Sequence, residues 1–308
     1  MARLLHTGQV MVDLVISLDQ LPVSGGDALA NAASFEAGAG FNVMAAARRN
    51  GLAVVYLGRH GNGRFGELAR QAMVAEGVEI ALDSDKEKDT GLCVSLTEAS
   101  AERTFISHIG AEGGLSAADL ARVAVQADDY VYVSGYSLQY PDKVQALLDW
   151  VLALPREVAV VFDPGPLVNA PDSAPMAALL PRIDIWTSNS VESLRFTGAV
   201  DIAGSLDSLT RRLSDGALLL VRDGPDGCWI SRHGERRHIP GFKVTAVDTN
   251  GAGDAHSGVF LAGLAAGLDA AQAALRANAA AALAVTRWGP ATSPGADEVD
   301  VLVAGLKS

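Results

Sequence analysis

The residues best suited to chemistry lie in Asp248-Thr249-Asn250-Gly251-Ala252-Gly253-Asp254, which joins the apolar stretch Phe242 to Val247 to a long helical pattern. Two glycines at a helix start let backbone N–H groups converge on an anion, and the helix dipole adds favourable potential there. Asp254 stands where that potential would attract a phosphate, so it is no phosphate ligand. It is placed to take a proton from a hydroxyl attacking that phosphate. Taken alone, the commoner role for an Asp in this pattern is a helix cap after a glycine turn. Asn189 and Glu192 lie three apart and would point from one helix face toward one site; a capping Asn at a helix start explains that spacing equally well. Gly61-Asn62-Gly63-Arg64-Phe65-Gly66 satisfies the dinucleotide pattern GxGxxG, with Asp83 and Asp85 roughly 20 residues on. It follows the second predicted strand rather than the first. No Lys is preceded by Gly, which excludes a Walker A loop.

The hydrophobic periodicity supplies the elements that must position these groups. Arg3 to Val12 and Ala53 to Gly58 read as strands, Phe41 to Asn50 as a helix, and Phe65, Leu68, Ala69, Ala72 and Met73 fall at helical spacing. Strands follow at Tyr130 to Val133, Val158 to Phe162, Ile183 to Trp186 and Leu218 to Val221, with a helix around Val144 to Leu154 and Ala- and Leu-rich helices from Gly253 onward. Runs apolar on both faces and separated by helices predict a doubly wound α/β fold, a mostly parallel sheet with helices on both faces. Two segments break that rhythm: Asp27 to Glu36, and the pair Leu92 to Thr97 and Thr104 to Ile109 joined by the turn-like link Glu98 to Arg103. Their mixed faces predict a small second sheet, serving as a lid or an oligomer contact, or surface hairpins without a role.

Composition bounds the function. The 308 residues carry 24 Lys+Arg against 36 Asp+Glu, a net charge of -12. That balance argues against nucleic acid, where sequence-independent binding depends on Lys and Arg displacing counterions. A hydrophobic fraction of 49% and a charged fraction of 19% are those of a chain that folds, here as a single unit over residues 1–308. Cys93 and Cys228 form no CxxC or Cys/His cluster, so no disulfide framework or zinc site is suggested. No run approaches the roughly 18 apolar residues of a membrane span, and the first residues lack a signal-peptide pattern. A cytoplasmic protein without membrane contact is the expectation.

The segment Asp248 to Asp254 closely resembles the C-terminal signature of the ribokinase-like (PfkB) carbohydrate and nucleoside kinases. Further matches follow in the family's order. Gly38-Ala39-Gly40-Phe41-Asn42 resembles its glycine-rich substrate motif, Leu57 to Gly66 its next loop, and Asn189-Ser190-Val191-Glu192 its Asn-x-x-Glu motif. Ala277-Asn278-Ala279 through Thr286 to Gly289 and Ser293-Pro294 resembles its nucleotide and cation segment. The resemblance implies a ribokinase-like domain with a small β lid, from segments about 14–36 and 90–110, that transfers the γ-phosphoryl group of ATP to a primary hydroxyl of a sugar. It puts Asp254 on the catalytic base and the backbone of Gly251, Ala252 and Gly253 on the anion hole. Asp13 and Asn42 fall on positions that hold acceptor hydroxyls, a role suited to a carboxylate, with Gly38 and Gly40 allowing close approach. Arg103, at the start of an extended segment facing the acceptor, would either reach a carboxylate or hydroxyl of the substrate or stand as a solvated edge-strand charge. Asn189, Arg222, Gly224, Gly227 and Asn278 fall on the ATP side, and Asn189 and Glu192 organise water around Mg2+. Asp248, Asn250, Gly289 and Ser293 match a monovalent-cation (K+) loop. Family members often form a homodimer through the lid.

Departures from the pattern mark places to check. Arg222 stands where many relatives carry Thr or Lys, His256 where Phe is usual, Val259 where a small residue is usual, and Gly38-Ala39 replaces a Gly-Gly pair. His256 would either titrate near the site or pack in Phe's place. Tyr136 and Gln139 come where acceptor-contacting groups would lie. Two other readings stand beside the sugar kinase: a nucleoside kinase, which needs an aromatic stacking surface that only Phe35 and Phe41 offer nearby, and a non-catalytic sugar-binding or regulatory protein of the same fold.

Overall fold

The computed structural model describes residues 1–100, 103–166 and 172–305; Ala101 and Glu102, in the link expected to be turn-like, lie outside them. Its strands are β1 (Arg3–His6), β2 (Val10–Leu18), β3 (Ala32–Ala39), β4 (Ala53–Tyr56), β5 (Glu79–Ile80), β6 (Leu92–Glu98), β7 (Arg103–His108), β8 (Tyr130–Ser134), β9 (Ala159–Asp163), β10 (Ile185–Asn189), β11 (Leu218–Arg222), β12 (Gly227–Arg232) and β13 (Glu235–Pro240). The helices are α1 (Gly40–Arg49), α2 (Arg64–Ala75), α3 (Ala117–Leu120), α4 (Pro141–Ala153), α5 (Ala174–Leu179), α6 (Ser190–Thr197), α7 (Ile202–Arg212), α8 (Ala252–Ala265), α9 (Ala270–Ala284) and α10 (Ala296–Ala304).

Nine strands form the main sheet in the order β13-β12-β11-β10-β9-β8-β1-β4-β5. It is parallel from β11 to β5, and β12 and β13 close one edge as an antiparallel hairpin. Successive residues of a strand point to opposite faces, and the core divides accordingly. Leu4, Val54, Tyr132 and Leu220 pack with α1, α8 and α9 through Met44, Phe260 and Ala273. Leu5, Val55, Val131 and Leu219 pack on the other side with Leu147, Phe196 and Leu206 of α4, α6 and α7. The doubly wound expectation is what the molecule shows.

The second sheet has the order β3-β2-β6-β7. Both segments that broke the rhythm contribute to it, with β2 and β6 parallel and the other pairs antiparallel. The sequence expectation of one strand over Arg3 to Val12 is corrected here. The chain pairs in the main sheet up to His6, leaves it at Thr7, whose N–H and hydroxyl both bond to Tyr132 O, and restarts in the lid at Val10. The crossing falls on Thr7-Gly8-Gln9, which interrupts the apolar runs Leu4-Leu5 and Val10-Met11-Val12 but is itself buried. The β12–β13 hairpin was not anticipated. Its two-residue turn is His233-Gly234, both at positive φ, and β13 is a solvated edge strand rich in charge.

Candidate active site

In open α/β sheets, ligands bind beyond the carboxyl ends of the parallel strands. Here those ends deliver Asp163 from β9, Asn189 from β10 and Arg222 from β11, with Asn189 and Arg222 in register. The lid lies over them. Its inner face is fixed by pairing: Asp13, Cys93 and Ser107 share one row, Val15, Ser95 and Phe105 the next, and Arg103 follows on β7.

Asp254 occupies the first turn of α8, whose N-cap position is Gly251, in the left-handed region at φ 72° and without a side-chain cap. The leading N–H groups of a helix have no acceptor within it, so an uncapped glycine turn leaves them to a ligand. A Cβ at Gly251 would lie 1.8 Å from Pro290 O. Helix α8 reaches this position by lying close to α1, where a Cβ on Gly258 would come within 2.5 Å of Val43 O. That approach brings Asn42 Nδ2 to 3.0 Å from Asp254 Oδ2, while Asn42 Oδ1 is buried without a hydrogen-bond partner among the described residues. Burial pushes Asp254 up to about 6, the Asn42 bond acting in the opposite direction.

Asp13 faces it from the lid. Gly38 must lack a side chain because a Cβ there would sit 2.1 Å from Asp13 Oδ2, and Gly40 opens α1 with its N–H bonded to Gln9 O. Burial, then the charges of Asp254 and Glu36, push Asp13 up to about 7. The fold therefore favours its protonated form, and ionised Asp13 opposes folding above that pH. Asp13→Asn is expected to raise the unfolding temperature at pH 8. The stability gain should shrink as pH falls through about 7 and vanish toward the ordinary value of 3.8; thermal unfolding across that range checks it.

Arg222 is held on all sides. Its Nη1 donates to Thr187 Oγ1 at 2.6 Å and Ser257 Oγ at 2.9 Å, and its Nη2 lies 3.4 Å from Asp163 and 3.7 Å from Glu192. The guanidinium packs 3.5 Å from where a Cβ on Gly253 would be, beside the α8 turn. Asn189 and Glu192 form a capping box on α6, each side chain accepting from the other's N–H at 2.7 and 2.8 Å. Burial, then the charge of Asp163, raises the Glu192 carboxyl. Gly224 and Gly227 shape the turn after β11, both at positive φ. Asp163 was absent from the sequence reading. Its signal was an acidic residue ending a parallel strand ahead of Pro164-Gly165. Tyr136 is half-buried with its ring against Gly165, and Gln139 is exposed.

Other expected residues have contacts within the fold. Asn278 bonds His256 Nε2 at 2.9 Å and donates to Ile239 O and Pro240 O. His256 is 2% exposed and pushed down to about 3 by burial and by Arg222, so it is a neutral packing residue and carries no pH switch. Val259 is buried with Ala46, Ala279 and Val299. Arg103 reaches from the lid's inner face to Asp248 and to Thr249 Oγ1.

The GxGxxG loop is a cradle filled from inside. Asp89 accepts from the N–H groups of Gly63, Phe65 and Gly66 at 2.8–3.1 Å, while Asp83 pairs with Arg122 and Asp85 with Arg59. The loop's donors are thus satisfied by a carboxylate of the chain itself, which removes the basis for a dinucleotide site. The aromatic inventory also changes. Phe35 packs against Phe65 and under Arg64 on the lid's outer side, and Phe41 is buried, whereas Phe105 is on the inner face and 54% exposed. Scarcity of aromatics therefore does not separate sugar from nucleoside.

A family model described as the pfkB family carbohydrate kinase matches residues 1–296. The chain is 31% identical over 295 residues to the uncharacterized sugar kinase YegV of Escherichia coli K12, covering 95% of this chain and 91% of the relative. It is 27% identical to the ribokinase of Haemophilus influenzae, over 83% of each chain. Among solved structures, the Arabidopsis thaliana ribokinase complexed with ribose and ATP superposes with a TM-score of 0.82 at 24% identity, covering 98% of this chain and 99% of the other. The Giardia lamblia ribokinase gives 0.85 at 21% over 99% of each.

Proposed function

The chain belongs to the PfkB family of carbohydrate kinases, and from that premise we propose that it moves the γ-phosphoryl group of ATP to a primary hydroxyl of a sugar or sugar derivative with Asp254 as the base. It is a phosphotransferase with an alcohol group as acceptor. The observation that carries the mechanism is the bond from Asn42 to Asp254 at the uncapped N-terminus of α8. It supports a carboxylate base and an orienting amide beside the first N–H groups of the helix. In the step, the acceptor oxygen attacks the γ-phosphorus, its proton passes to Asp254, the bond to the β–γ bridging oxygen breaks, and ADP leaves. The Gly251 to Gly253 backbone stabilises the charge on the transferring group, and Asn42 and Asp13 hold the acceptor so that its hydroxyl faces Asp254. Arg222 supplies fixed positive charge beside that turn.

ATP would sit with its phosphates toward the α8 turn and Arg222. Glu192 and Asn189 are the groups that would hold waters of Mg2+, which when bound screens the phosphate charges. These local devices matter because a chain of net charge -12 does not steer a polyanion inward. A nucleoside acceptor is the second reading, favoured by the exposed ring of Phe105 on the inner lid face.

ADP release measured across sugars, sugar acids and nucleosides, with acceptor-induced thermal shifts in parallel, is expected to show turnover with at least one sugar. Faster turnover of nucleosides selects the second reading. Binding of sugars with no ADP release under any acceptor would leave a non-catalytic sugar-binding protein and end the kinase proposal.

A further inference from the structure

Asp248 is the residue of the signature turn that the family resemblance gives, with Asn250, Gly289 and Ser293, to a monovalent cation. In this chain its carboxylate already has donors. Oδ1 accepts from the Asn250 N–H at 2.9 Å and Oδ2 from the Gly289 N–H at 3.1 Å. Arg103 adds its guanidinium, one nitrogen on Asp248 Oδ1 and the other 3.3 Å from Thr249 Oγ1. The two side chains of the pair are 19% and 8% exposed, so solvent and salt screen them little. In the neighbouring loop, the carbonyls of Ala291 and Ser293 each accept from Arg49 Nη1 at 2.8 Å. Guanidinium groups of the chain itself occupy oxygens that a small cation would seek.

We propose that Arg103 takes the place of a monovalent cation on this loop, so that the charge stabilising the phosphate-binding turn is delivered by the lid. An ionised Asp248 three residues before Gly251 would depress the positive potential of the α8 turn. A cation fixed on it restores that potential and locks the turn's geometry. A guanidinium suits the task because its planar fork holds Asp248 and Thr249 together and never loses its charge. Its backbone belongs to β7 in the lid, so the pair forms only when the lid covers the site, which couples closure to the turn that receives phosphate. Arg103 is thus a positioning residue acting through Asp248. The inference rests on the kinase reading above.

The test compares wild type, Arg103→Ala and Arg103→Lys in N-methylglucamine chloride and in KCl at equal ionic strength. Calorimetric affinity for Mg·ATP is read first, because it needs no acceptor, and turnover second. Wild type is expected to bind alike in both salts. Arg103→Ala should bind Mg·ATP about tenfold more weakly without K+, and recover with K+ or added guanidinium, as loss of a charge-assisted bond of about 1.4 kcal/mol implies. Arg103→Lys should fall between. A wild type that requires K+, an Arg103→Ala protein that loses nothing, or a folded one whose loss neither cation restores would overturn the proposal. Failure of wild type to bind Mg·ATP in either salt strikes the kinase reading itself, and so is told apart from failure of the inference.

Discussion

Asp254→Asn is expected to lower turnover by about 10²–10⁴-fold, the usual contribution of a general base, while affinity for Mg·ATP changes little. Asn keeps the shape of the carboxylate and can still face Asn42, so the helix turn and its N–H groups stay in place. What disappears is the proton acceptor. The pH profile sharpens the expectation. Asp254 is pushed up to about 6 and Asp13 to about 7, each raised by burial first, with Asp254's charge adding to the rise of Asp13. Both must be ionised for the base to accept and Asp13 to receive hydroxyl bonds. In wild type kcat/KM for the acceptor should therefore fall as pH drops through about 7 to 6. In Asp254→Asn the residual rate should lose the inflection that Asp254 contributes, and the one left to Asp13 should move to lower pH because the Asp254 charge that helped raise it is gone. Since His256 is held neutral by burial, no histidine inflection is expected from it.

Gly251→Ala is expected to be the most damaging single methyl group in the site. Its φ of 72° costs an L-residue about 1–2 kcal/mol, and the added Cβ would meet Pro290 O at 1.8 Å, so the turn must move. Displacing donors aimed at developing charge costs about 10²–10³-fold in kcat, and the unfolding temperature should drop as well. Gly253→Ala is the control. There the nearest side chain to the new Cβ is the Arg222 guanidinium, at an ordinary 3.5 Å, so kcat should fall far less and stability little. Steady-state kinetics with thermal unfolding for the two variants separates an effect of turn geometry from one of merely adding bulk near the site.

Much of this was legible in the chain. The apolar runs gave the parallel sheet because strands buried on both faces have no polar alternation to confuse them, and the Asp248 to Asp254 turn was visible because two glycines and an Asp at one helix start form a compact local pattern. What stayed hidden depends on tertiary pairing. Asp163 has no local motif; it matters because β9 ends two strands from β11, where Arg222 waits. The GxGxxG pattern misled because the anion it cradles, Asp89, belongs to the chain and lies more than 20 residues away. The break between β1 and β2 was missed although Thr7-Gly8-Gln9 interrupts the apolar runs, because those residues are buried and three of them make too short a gap to stand out as a loop. Arg103 was read as facing the acceptor from its place at the start of a lid strand; which oxygen it meets is set by how the lid docks, and the register alone did not contain that.

The central claim is that a hydroxyl made nucleophilic at Asp254 takes the γ-phosphoryl group. The most direct measurement follows label from [γ-32P]ATP into the acceptor selected by the ADP-release survey, for wild type and Asp254→Asn side by side at pH 7.5. Acceptor-bound label formed by wild type and reduced at least about 10²-fold in the variant is the predicted result. Label that appears only as inorganic phosphate, or a folded Asp254→Asn protein that labels the acceptor as fast as wild type, would contradict it.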